Sequence, residues 1–78
     1  MNDNPTAEDQ LRTHTRAALE AAGVSQAEVA RQFGLSTKHV SHMLIGRATL
    51  TLTWAEAILS LAGQRIEITT RPDPEETP

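Results

Sequence analysis

Thr37, Lys38, His39, Ser41 and His42 fall within six consecutive positions, and each carries a hydroxyl, an imidazole or an ammonium group. Short polar and cationic side chains of this kind suit contact with base edges and phosphate oxygens, since they donate in a groove and displace counterions from a phosphate backbone. The charge pattern favours the same partner. Residues 29–55 hold Arg31, Lys38, His39, His42 and Arg47 and no carboxylate, although the chain has ten acids. The net charge of −3 argues against a polyanion only when read as one number. Asp3, Glu8 and Asp9 lie in the first ten residues and Asp73, Glu75 and Glu76 in the last six. All seven Lys and Arg fall between positions 12 and 71, where four acids oppose them and the balance is +3. Other chemistries fit poorly. His39 and His42 stand three apart, as metal ligands on a helix can, but no third ligand or supporting acid is near, so neither metal nor cofactor is expected. With no Ser/His/Asp set, no paired carboxylates and no glycine-rich phosphate loop, the chain does not read as an enzyme.

The elements that position these residues must fit into 78 residues without cysteine and with 3% aromatic content. A chain of this size hides only roughly 60% of its unfolded surface, so one small domain is expected and a deep substrate pocket is not. No disulfide framework is available. Uninterrupted apolar runs stop at three residues, as at Met43, Leu44 and Ile45, and the start MNDNPTAEDQ is acidic. A membrane span and a basic signal sequence are therefore not expected, and the reading is a cytoplasmic, nucleoid-associated protein with no membrane partner.

The first periodic segment, residues 6–22, spaces Leu11, Thr15, Ala18, Leu19 and Ala22 as the inner face of a helix capped by Thr6 with Asp9 and ended by Gly23. Glu8 with Arg12 and Arg16 with Glu20 are read as ion pairs on its outer faces. Ser25 and Glu28 form a capping box ahead of a second helix, with Ala27, Val29, Ala30 and Phe33 as its apolar positions and the Glu28 carboxylate expected to fold back on the Ser25 amide. Gly34 stops that helix. After Leu35, Ser36 is an N-cap, and Val40, Met43 and Leu44 give a third helix its buried stripe before Gly46 ends it. Thr51 caps a fourth helix over 52–62, with Leu52, Ala55, Ile58, Leu59 and Ala62 inward and Gly63 at its end. Trp54, Ala57 and Leu61 make a surplus apolar stripe on a neighbouring face. Residues 65–70 alternate Ile66 and Ile68 with polar neighbours, as a half-buried strand does. The fold expected is all-α, four helices with one short C-terminal β-strand, over 6–70, flanked by disordered segments at 1–5 and in the acidic tail 71–78.

The segment from Gln26 to Ile45 meets the requirements of a helix-turn-helix: small Ala30 at the crossing, Gly34 opening the turn, and Val29, Phe33, Leu35, Val40 and Met43 in the shared core. The stretch GVSQAEVARQFGLSTKHVSHMLIGRATLTLTWAEAILSLAG, residues 23–63, resembles the lambda-repressor and Cro type of helix-turn-helix, also called the xenobiotic-response-element type. The likeness rests on S-Q, V-A and F-G-L-S, a Val four residues after that Ser, then L-I-G-R and a Leu-rich helix. It implies that Gln26 lies against the DNA backbone and that Thr37, Lys38 and His39 enter the major groove. Ser41 and His42 would reach a base edge or a flanking phosphate, and Arg47 a phosphate. Ser36, read first as a cap, is included in this DNA-facing set; Arg31 and Gln32 read as solvated, with contact to the DNA backbone as the alternative for Arg31.

One recognition helix rarely specifies a genomic site, and a homodimer on a palindromic operator is expected. Its interface is assigned to Trp54, Ala57, Leu61, Ile66 and Ile68, with Trp54 equally able to serve the core. Three functions fit: a phage-type or chromosomal transcriptional repressor acting by occupancy, an autoregulating antitoxin whose strand or acidic tail grips a basic toxin, or a protein-interaction module without DNA.

Overall fold

The computed structural model describes residues 6–73, in which four helices follow one another: α1 (Ala7–Ala22), α2 (Gln26–Phe33), α3 (Thr37–Ile45) and α4 (Leu52–Leu61). Each starts where a hydroxyl satisfies a first-turn amide that the helix itself leaves unbonded. The oxygens of Thr6, Ser25, Ser36 and Thr51 accept from the N–H groups of Asp9, Glu28, His39 and Trp54 at 3.0, 3.1, 3.0 and 3.1 Å. Between α2 and α3 the chain has three residues in which to turn. Gly34 does this with φ at 68°, a left-handed conformation that costs a side-chain-bearing residue about 1–2 kcal/mol. The turn is closed by the Leu35 N–H donating to the Ala30 carbonyl at 2.9 Å.

α1 packs on α4 and α3, and α2 packs on α3. The core joins Leu19 of α1, Val29 and Ala30 of α2, Val40, Met43 and Leu44 of α3, and Ala55, Ile58 and Leu59 of α4. Leu50, from the loop between α3 and α4, is buried with them and pins that loop to the domain. Phe33 and Leu35 close the side of the core at the α2–α3 turn. With Val40, Met43 and Leu44 directed inward, the opposite face of α3 is left to water.

Several expectations are corrected. Residues 65–70 form no strand, and there is none among the described residues; the segment runs on without regular structure after α4. A ladder needs a second strand, and the described part of one chain supplies none. Arg12 is not on an outer face: it is 8% exposed, and its partners include backbone carbonyls of α3 and the following loop. Arg16 donates to the Leu44 carbonyl, not to Glu20. Glu28 bonds the side chains of Arg31 and Gln32, both of which are exposed, instead of the Ser25 amide. Ala22, Ala27 and Leu52, read as inward, are exposed. Ala22 and Leu52 stand at helix ends, where a neighbouring helix gives less cover than at mid-length. Trp54, Ala57 and Leu61 are half-buried, not left bare, because the Phe33 ring meets Trp54 edge-on at 5.7 Å and Leu61 packs on the core. The expected disorder at 1–5 and 74–78 lies outside the described residues; residues 71–73 are exposed and without regular structure.

Candidate nucleic-acid interface

α3 is held at its C-terminal end and open at its N-terminal end. Arg12 of α1 reaches across to donate from Nε to the Met43 carbonyl at 2.8 Å and from Nη2 to the Ala48 carbonyl at 3.1 Å. Arg16, one turn further along α1, donates to the Leu44 carbonyl. These carbonyls belong to the last turn of α3 and the loop beyond it, where no helical amide follows to pair with them and where positive charge is favourable. The His42 carbonyl, in the same turn, accepts from the amides of Gly46, Arg47 and Ala48 at 3.1, 2.9 and 3.1 Å. Glu8 and Asp9 balance the buried guanidinium, with Asp9 Oδ1 at 2.9 Å from Nη1. The Glu8 carboxylate also accepts the Leu50 amide at 3.2 Å, so one network fixes the whole loop that carries Arg47.

The opposite end presents Thr37, Lys38 and His39, all exposed, on a first turn that contains no acid. Ser41 and His42, one turn on, are half-buried at the edge of the same face. Ser36 is exposed, and its oxygen is engaged as the cap of His39. Arg47 is exposed just past α3, whose nine residues rise about 13 Å. Gln26, at the first position of α2, is half-buried in a shallow cleft with Arg16 and Leu44. Ile66 is half-buried against the core, and Ile68 is 69% exposed.

The cations divide by what they touch. Arg12 and Arg16 are spent on backbone carbonyls, Arg31 pairs with Glu28, and Arg65 lies 3.7 Å from Glu67. Lys38 and Arg47 have no acidic partner among the described residues. Gln32, and then Arg31, hold the Glu28 carboxyl below its ordinary range, so it stays ionised but occupied within α2. The face of α3 thus combines unpaired hydrogen-bonding groups with uncompensated positive charge. Sequence reasoning missed the Arg12 and Arg16 anchors. Their signal was present: positions 12, 15, 16 and 19 form one helical stripe, and Thr15 and Leu19 on it had been read as inward.

A family model described as a helix-turn-helix domain matches residues 10–67, which take in α2, α3, α4 and most of α1. Over 45 residues the chain is 44% identical to Repressor protein C of Rhizobium phage 16-3. The match covers 56% of this chain and 17% of that repressor, so the chain is similar to a small part of a much longer protein. No solved structure matches the chain.

Proposed function

Because the chain belongs to the helix-turn-helix family, of lambda-repressor and Cro type, we propose that it is a non-enzymatic regulator that binds double-stranded DNA in a sequence-specific way and represses transcription by occupying a promoter. The observation that carries this reading is the first turn of α3, where Thr37, Lys38 and His39 stand exposed and without acids on a helix anchored from behind. In this reading Thr37, Lys38 and His39 contact base edges in the major groove. Ser41 and His42 serve the edge of that contact, Ser36 and Arg47 lie against phosphates, and Gln26 approaches the backbone from α2.

Three to five base contacts, at about 1–3 kcal/mol of discrimination for each good bidentate pair, are too few to pick one site from a genome. The reading therefore includes a homodimer on an inverted repeat, with half-sites roughly 34 Å apart and a subunit interface drawn from Trp54, Ala57, Leu61, Ile66 and Ile68. Selection from a random duplex library at near-physiological salt tests it. An inverted repeat bound at least about 10³-fold more tightly than scrambled DNA is the expected result. Failure to enrich any motif would refute it.

A further inference from the structure

One large apolar side chain stands on the outer face of α3. Ile45 is 55% exposed, while Val40, Met43 and Leu44 are buried on the opposite side of the same helix. A single exposed isoleucine is ordinary on a protein surface, so what sets Ile45 apart is where it lies. Each residue of a helix turns by about 100°, and seven of them bring Ile45 to within about 20° of Lys38. Lys38 and Ile45 therefore share the outermost line of α3, with Ser41 and His42 between them and no carboxylate from residue 29 to residue 55.

Ile45 is also held still. The carbonyls of Met43 and Leu44, the two residues before it, accept from Arg12 and Arg16. The amides of Gly46 and Arg47, the two residues after it, donate to the His42 carbonyl at 3.1 and 2.9 Å. A β-branched side chain in a helix keeps mainly one rotamer. Its methyl groups are thus fixed before any partner arrives, and little freedom remains to be lost on contact.

The chemistry of the groove chooses what Ile45 meets. Among the groups that base pairs display in the major groove, the apolar one is the C5-methyl of thymine. Cytosine and adenine present an amino donor there, and an isoleucine laid over it would take that donor out of water without a partner. The rise from Lys38 to Ile45 is about 10 Å, or roughly three base-pair steps along the groove, so the two side chains reach different bases.

We infer that Ile45 reads one thymine in each half-site through an apolar contact with its C5-methyl group, about three base pairs from the base that Lys38 reads. This rests on the proposed DNA binding and adds to it a specificity-determining residue outside the polar set.

The test replaces each thymine of the selected duplex in turn by deoxyuridine, which lacks the methyl group and keeps the pairing edge. Substitution at one position per half-site is expected to weaken binding about fourfold, the effect of one buried methyl group, and about fifteenfold when both half-sites are changed. Ile45→Ala should bind the thymine and deoxyuridine duplexes equally at that position while keeping its preference at the bases met by Thr37, Lys38 and His39. Ile45→Val, which keeps the β-branch, should retain most of the difference. Equal affinity for thymine and deoxyuridine at every position, a sensitivity that persists in I45A, or a selected site without thymine would overturn the inference and leave the DNA-binding reading intact. A chain that selects no duplex would sink that reading and the inference with it.

Discussion

Lys38 and Arg47 are distinguished by what they are not bonded to, and in the proposed complex they do different work. Lys38 sits on the first turn of α3, which enters the groove, and Arg47 sits past its end, beside the backbone. Lys38→Ala should cost about 1–3 kcal/mol on the selected site and relax the preference at the base it reads. Arg47→Ala should weaken selected and scrambled DNA alike and lower the salt slope by about one per subunit. Anisotropy titrations of both duplexes at several salt concentrations separate the two roles; equal loss of specificity in both variants would contradict the division. Arg12 acts from the other side of α3, as a positioning residue. Its removal strands the Met43 and Ala48 carbonyls and leaves the partly exposed carboxylates of Glu8 and Asp9 without their cation. Urea unfolding of R12A is expected to show a loss of about 1–3 kcal/mol. R12K should recover little, because an ammonium cannot reproduce a fork that spans two carbonyls and two carboxylates. An R12A midpoint matching the parent would show that the network adds nothing.

At the level of the helices, polar caps set the boundaries, and two first-turn carboxylates carry a pH dependence. Thr6, through its hydroxyl and its backbone N–H, and then Arg12 hold the Asp9 carboxyl below its ordinary range; Gln32 and then Arg31 do the same for Glu28. A carboxylate whose pKa is depressed on folding contributes stability that is complete above its unfolded pKa and is lost as pH falls through the folded one. Stability should therefore be flat with respect to these two groups above about pH 5 and decline below about pH 4. D9N should remove its share of that decline, as read from thermal unfolding between pH 2 and 7; an unchanged acid slope would contradict the assignment. These boundaries were legible because each rests on local pairs, a hydroxyl with the amide three residues on and a glycine past the last turn. What was not legible depended on neighbours distant in sequence. Arg12 looked like one half of a surface ion pair because Glu8 is four residues away, and nothing local says that Met43 lies 31 positions on at its other side. The buried Leu50 was hidden in the same way, by a loop that looked polar. Residues 65–70 have the alternation of a strand, and alternation is local, but a ladder is a property of two segments. The exposed face of α3 was legible in part. Thr37, Lys38 and His39 follow from the inward stripe of α3, whereas the half-burial of Ser41, His42 and Gln26 depends on how α1 and α2 lie against it.

For the whole molecule, net charge is a poor guide and charge placement a better one. The chain carries −3, yet α3 and the loop after it present Lys38 and Arg47 unpaired while the remaining acids near them are engaged. A dimer brings four such cations to the duplex, so log K should fall against log salt with a slope of about −3.6, a factor of about 150 between 50 and 200 mM. A slope near zero would mean that phosphates are not the partner. The central claim is narrower: the first turn of α3 is the surface that meets DNA. Amide chemical shifts of ¹⁵N-labelled protein, followed while the selected duplex is added at constant salt, test it most directly. The account predicts that the largest changes fall at Thr37, Lys38 and His39, with smaller ones at Ser41, His42 and Arg47 and little movement in α4. Changes concentrated in α4 and residues 64–70, with the first turn of α3 silent, would contradict it.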